Sequence, residues 1–266
     1  MPRPPATRGP RRNYPRHIFR RTRLGRIGLL VPSSNTTVEP EFYRALPKEV
    51  TLHVARLHLS KIATDSISSM VADIEARARD LATADVDVIV LGAAAPSFLK
   101  GLGYDREMAQ KIEAASGKRA TTTSTALIEA LKYLGVSRVV LGAAYDDKVN
   151  AIAQKFLEAN GFNVLAANGL GLVDNLVVGR LDASSAYELA LKIDRPDAEA
   201  IVLACTNWKT MDVLERLERE LCKPVLSTTQ VTIWAALRAI GRIEGVPGYG
   251  HLLRDLTAPS KQTQLA

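Results

Sequence analysis

Cys205 ends an apolar run, Ala200-Ile-Val-Leu-Ala-Cys-Thr-Asn207, and a hydroxyl and an amide follow it directly. A nearly identical run, Val88-Ile-Val-Leu-Gly-Ala-Ala-Ala95, lies 112 residues earlier and carries Ala93 at the matching position. Short apolar runs that break into small residues read as buried parallel strands opening onto a site. A lone cysteine after such a strand is commonly an inert buried thiol. Two features favour a reactive one: its place at the strand end, and the helix expected after Thr206, whose first amides would favour thiolate. Cys222, inside Glu-Leu-Cys-Lys-Pro ahead of a strand, reads as structural.

Three other strand ends carry polar or small residues. Pro32-Ser33-Ser34-Asn35-Thr36-Thr37 fits equally an anion cradle built without positive side chains and a simple helix cap. Gly92-Ala93-Ala94-Ala95 would let a ligand approach the backbone, or let elements pack closely. Tyr145, in Ala-Tyr-Asp-Asp147, can donate its hydroxyl into a cleft or pack half-buried. Zinc-ligand spacing, a phosphate-binding Gly-Lys-Ser loop, a dinucleotide glycine motif and a Gly-x-Ser-x-Gly elbow are all missing from the sequence. One thiol, one tyrosine and many hydroxyl and amide donors suit a small carboxylate and an enediolate-like intermediate.

The elements that must position these residues alternate. Strands are expected at 26–31, 51–57, 86–91, 138–141, 162–167, 200–204 and 224–227, and helices at 66–84, 104–116, 124–134, 148–160, 184–193, 210–221 and 231–240. That order predicts α/β architecture with short parallel sheets flanked by helices. The segment from Arg26 aligns with that from Arg138 at the same 112-residue offset, and 123–135 aligns with 229–241 at 106. Three matched segments in one order imply a duplicated unit. Two pseudo-symmetric lobes, 24–120 plus about 228–255 and 121–227, would enclose one cleft lined by strand ends.

The net charge of +7 is local, since residues 1–23 hold eight arginines and no acid. The remainder carries −1, which does not argue for nucleic acid as a partner of the folded body. The Arg/Pro-rich tail reads first as a disordered extension, with a nucleic-acid or membrane-surface arm as the sharper alternative. No apolar stretch reaches the roughly 18 residues that span a bilayer, so no membrane is expected. Two cysteines in 266 residues fit a cytoplasmic protein rather than a disulfide framework.

At these same loops the chain resembles the aspartate/glutamate racemase superfamily, in its maleate isomerase and arylmalonate decarboxylase branch. The carrying segments are Val31–Glu39, Leu91–Gly101, Thr121–Ala126, Ala144–Asn150, Asp174–Gly179, Cys205 and Pro247-Gly-Tyr-Gly250. The resemblance implies two pseudo-symmetric lobes, no cofactor and a small dicarboxylate substrate; a homo-oligomer is left open by the sequence. It places Cys205 on the cysteine that the decarboxylase retains and Ala93 on the one it lacks. Tyr145 falls on a carboxylate-binding tyrosine, and Asn35 and Asn175 on the isomerase's substrate-binding asparagines. Ser33, Ser34, Ala94, Ala95 and Thr206 complete the expected substrate contacts. Ala94 and Ala95 depart from the decarboxylase, which has Thr and Ser there, while the Ser33–Asn35 loop reads like the isomerase.

Isomerisation in this family uses the first-lobe cysteine as nucleophile, and racemisation needs a base on each face of the carbon. Ala93 can do neither. Decarboxylation followed by protonation needs one acid only. The expected activity is therefore a cofactor-independent carbon–carbon lyase acting on a malonate-type dicarboxylate, with Cys205 delivering the proton. A maleate cis-trans isomerase or Asp/Glu-type racemase with altered first-lobe chemistry, and a non-catalytic carboxylate-binding protein, are the alternatives.

Overall fold

A computed structural model describes residues 25–59 and 64–256. The Arg/Pro-rich tail at 1–23 lies outside the described residues. Two four-stranded parallel sheets form the frame. The first has the order β2-β1-β3-β4, from β1 (Gly25–Pro32), β2 (Val50–Leu57), β3 (Val88–Leu91) and β4 (Arg119–Thr122). The second repeats it as β6-β5-β7-β8, from β5 (Arg138–Tyr145), β6 (Asn163–Leu172), β7 (Ala200–Ala204) and β8 (Val225–Ser227).

The duplication extends to strand register. Arg26 pairs with Thr51 and Ile27 with Val88; their counterparts 112 residues on, Arg138 with Asn163 and Val139 with Ala200, pair in the same way. All four residues of β3 and all five of β7 are buried, as strands covered on both faces must be.

Twelve helices cover these sheets among the described residues. Those that frame the site are α1 (Val38–Ala45), α4 (Ala94–Phe98), α6 (Thr123–Tyr133), α8 (Asn175–Arg180), α10 (Met211–Leu221) and α11 (Thr228–Ala239). The paired helices α6 and α11 start on matching caps, Thr122 accepting from the Thr125 amide and Ser227 from the Gln230 amide. In α11 Gln230 also returns the bond to the cap, although that contact is long at 3.4 Å.

Several boundaries differ from the sequence expectation, each for a physical reason. The helix expected over 66–84 is two, α2 (Thr64–Ala72) and α3 (Ile74–Ala82), broken at Asp73. Strand β4 has no apolar run because it is an edge strand, and its Arg-Ala-Thr-Thr reads as a helix approach. Strand β6 runs five residues beyond its expected end, along the other sheet's edge, where apolar content is not required. The short α4 and α8 lack enough apolar period to announce themselves, whereas α1 has Val38, Phe42 and Ala45 at helical spacing but runs only eight residues, with Pro40 in its first turn.

One buried charge lies where the halves meet. Glu41 on α1 is 2% exposed, and neither carboxyl oxygen finds a well-aligned hydrogen bond. The Arg44 guanidinium stands 3.9 Å away and is held more closely by Asp212 of α10, at 2.9 Å. Burial raises the Glu41 pKa from 4.5 to about 7, against smaller opposing effects from the nearby Thr229 hydroxyl, the Met211 amide and Arg44. A raised acid stabilises the fold at low pH. Its contribution should be complete below pH 4.5, decline as pH rises to about 7, and level off beyond. Denaturant melts of the wild type and Glu41→Gln across this range should diverge by about 3 kcal/mol.

Candidate functional site

The carboxyl ends of β1, β3, β5 and β7 converge where the two sheets meet. Thr206 is the joint. Its hydroxyl donates to the Gly92 carbonyl across the sheets at 3.2 Å and accepts from Asn35 Nδ2 at 3.2 Å. Gly92 precedes Ala93 and Thr206 follows Cys205, so these bonds set the matched strand ends against each other. Asn207 adds a second tie. Its Oδ1 accepts from the Thr36 amide at 2.7 Å, its carbonyl accepts from the Thr37 hydroxyl at 2.9 Å, and its Nδ2 donates to the Asn175 carbonyl at 2.6 Å.

Cys205 itself is 4% exposed and takes φ of +145°, a region that residues with a Cβ rarely enter. Such a conformation costs about 1–3 kcal/mol and persists only where surroundings impose it. Here Thr228 Oγ1, at the start of α11, accepts from the Cys205 amide at 3.1 Å, and the Trp208 amide donates to the Cys205 carbonyl at 3.1 Å.

The thiol stays protonated. Burial lifts its pKa to about 11, outweighing the lowering effects of the Asn207 amide, the Tyr145 hydroxyl and the Trp208 amide. This corrects the thiolate expectation: the helix after Thr206 begins only at Met211, and desolvation exceeds what the loop amides supply. Tyr145 is 3% exposed, packs edge-on against Phe98 at 6.4 Å, and sets its hydroxyl beside Cys205. Burial, with the neighbouring thiol, raises its pKa well above 10.

The remaining candidates divide between lining and bracing. Ala93, Ala94 and Ala95 are all buried, with Ala93 capping α4. Ser97 hydroxyl donates to the Ala94 carbonyl at 2.8 Å and shares a 2.6 Å bond with Ser124. Asn35 braces the loop: its Oδ1 accepts from the Thr37 and Val38 amides while its Nδ2 holds Thr206. Asn175 Nδ2 donates to Ser34 Oγ at 2.9 Å, and Ser33 Oγ accepts from the Leu59 amide at 3.0 Å.

The opening loop is not free of positive charge. Arg56 at the end of β2 donates to the Ser33 and Asn35 carbonyls at 3.1 and 2.9 Å and pairs with Glu39. Sequence reasoning missed Arg56 and Thr228, and it saw Asn207 as a strand-end amide without its bracing role. Register would have found the first, since Arg56 pairs with Val31 beside the loop.

The class of protein is now defined: a duplicated, two-lobed α/β protein with one buried thiol where its strand ends meet. An arylmalonate decarboxylase family profile matches residues 27–253, and the chain belongs to that family. It is 29% identical to the maleate isomerase of Pseudomonas putida over 245 residues, 87% of this chain and 98% of the relative. It is likewise 29% identical to the arylmalonate decarboxylase of Bordetella bronchiseptica over 232 residues, covering 86% and 96%. A cysteine-to-serine variant of Nocardia farcinica maleate cis-trans isomerase, with a covalently bound succinylcysteine intermediate, superposes with a TM-score of 0.83 at 28% identity, covering 86% and 98%. The chain is accordingly an enzyme of decarboxylase or isomerase type.

Two outcomes should follow from the site's physics. The strained φ reverses the usual order of small substitutions, so Cys205→Gly should be more stable than Cys205→Ala by about 1 kcal/mol in denaturant melts. At pH 8 burial holds the Cys205 thiol in its neutral form. Iodoacetamide should therefore label exposed Cys222 and leave Cys205 unmodified by peptide mass analysis.

Proposed function

We propose that the chain is a decarboxylase of a small malonate-type dicarboxylate, and that Cys205 protonates the intermediate. The observation that carries this reading is a single buried, protonated thiol with Ala93 at the matching strand end. A thiol with a pKa near 11 is a poor nucleophile at neutral pH but a competent acid toward a carbanion.

In the proposed step, the bond between the α-carbon and one carboxylate breaks, and carbon dioxide leaves. The electron pair remains as an enediolate on the other carboxylate. Amides of the Ala93–Ala95 loop, whose first helical turn has no internal acceptors, face that charge in the reading proposed here. Tyr145 adds a hydroxyl donor. The Cys205 S–H then gives its proton to the α-carbon. The thiolate left behind is held by the Asn207 and Trp208 amides and the Tyr145 hydroxyl until water restores its proton.

Ala93 also weighs against the isomerase reading. In the Nocardia relative a succinylcysteine forms in a variant from which one cysteine has been removed, so another cysteine carries it. Here the second cysteine, Cys222, is exposed and sits at the far end of α10. The small-dicarboxylate class is supported by a second isomerase, from Pseudomonas putida S16, whose Cys-to-Ala variant was solved with maleate at 27% identity to this chain.

Incubation with a panel of substituted malonates, maleate and chiral amino acids tests this assignment. Carbon dioxide release from a malonate is expected, with turnover in Cys205→Ala reduced at least about a thousandfold while substrate binding persists. Maleate isomerisation without carbon dioxide release would assign the isomerase reading instead. No change in any compound would leave a carboxylate-binding protein. Ala93→Cys should add racemisation of the decarboxylation product, read by chiral chromatography.

A further inference from the structure

A cavity of about 630 Å³ lies on the side of the first sheet away from Cys205. Edge strand β4, helix α6 and the C-terminal half of α11 form most of its walls, with Val88 of β3 and Glu113 completing them. Helix α11 runs from Thr228, which touches the Cys205 amide, to Arg238 in the cavity wall. Ten residues of helix put these about 15 Å apart. The cavity is thus distinct from the candidate active site.

Three cations line it: Arg119, Lys132 and Arg238. Lys132 and Arg238 occupy equivalent positions of the duplicated helices, 106 residues apart. Among the described residues none of the three forms an ion pair with a carboxylate, although most other arginines of the described surface do. Two glutamates share the wall. Glu113 accepts from the Ala120 amide at 3.0 Å, and burial raises the pKa of Glu129 against the opposing pull of Arg238, Arg106 and Lys132. Arg119 donates to the Ala239 carbonyl and has no acidic partner.

Arg238 is also preorganised. Its guanidinium lies over the Trp234 ring at 4.6 Å and the Tyr133 ring at 5.1 Å, yet its Nη1 is shut from solvent with no acceptor. Trp234, only 3% exposed, leaves its indole N–H unpartnered, and the Thr121 hydroxyl in β4 is unpartnered too. Orphaned buried donors are costly, and all three belong to side chains in this cavity's wall, although each of these atoms is shut from solvent. Three cations without a carboxylate ion pair at one cavity call for an acceptor-rich anion.

We infer that this cavity is a second ligand site that takes a small multiply charged oxyanion, a phosphate or a polycarboxylate, on Arg238, Lys132 and Arg119. The guanidinium, stacked against the Trp234–Tyr133 ring pair, supplies donors suited to such a group. The volume falls within the range of small-molecule sites. The inference does not depend on which reaction the thiol supports.

Trp234 supplies a local reporter, because the other tryptophan, Trp208, is fully buried against Ser185. Tryptophan fluorescence of the full chain should be titrated with inorganic phosphate and, separately, with citrate, using sodium chloride at matched ionic strength as the reference. A saturable change with one of the two is expected, and which of them gives it distinguishes the phosphate source from the carboxylate source. Arg238→Gln should weaken that binding about tenfold or more. Lys132→Gln, at an exposed position that does not endanger folding, should weaken it and reduce its salt dependence. A response no different from chloride with both anions, or the same affinity in Lys132→Gln and wild type, would overturn the site.

Discussion

The hydroxyl of Thr206 is the point on which the two lobes register. One oxygen donates to the carbonyl before Ala93 and accepts from Asn35, so both strand ends and the opening loop are fixed by a single buried atom. Buried polar groups must be paired, and here each partner belongs to a different segment of chain. Asn207 repeats the tactic with Thr36, Thr37 and Asn175. The strained φ at Cys205 follows from this constraint. The chain must leave β7, place a thiol inward, and still deliver the next two side chains to the opposite lobe.

The same closure sets the electrostatics. Removing water from around Cys205 and Tyr145 raises both pKa values, and the amides of Asn207 and Trp208 only temper the effect. A thiol in this state holds its proton until a stronger base arrives. A carbanion is such a base, whereas a ground-state carboxylate is not. Desolvation, the cost of burying the group, thereby suits it to donate once and be restored by water. Nothing in this arrangement calls for a second titrating group at Ala93.

Much of the frame was legible in the sequence. Seven of the eight strands, the α/β order and the repeat offset came from apolar periodicity, and the register of both sheets keeps the 112-residue spacing. The runs at 88–91 and 200–204 were legible because strands buried on both faces must be continuously apolar. Edge strand β4 carried no such mark, having one side unpaired. The loops were legible as chemistry but not as geometry. Asn35 reads as an anion donor or as a cap from its type alone. Only the fold reveals that Oδ1 holds two amides and Nδ2 holds Thr206. Arg56 escaped notice, and Asn207 was legible as a strand-end amide but not as a brace, because their partners lie 21 and 171 residues away, at distances no local pattern encodes. The thiolate expectation failed on a quantity that sequence does not carry, the depth of burial.

The central claim is that protons reach the substrate carbon from one face, through one thiol. Turnover of a disubstituted malonate in heavy water, followed by chiral separation and mass analysis of the product, tests it most directly. The account predicts one enantiomer carrying one deuterium at the α-carbon, with no further exchange on prolonged incubation. A racemic product, or continued exchange of the α-hydrogen in product already formed, would require a second base and contradict it.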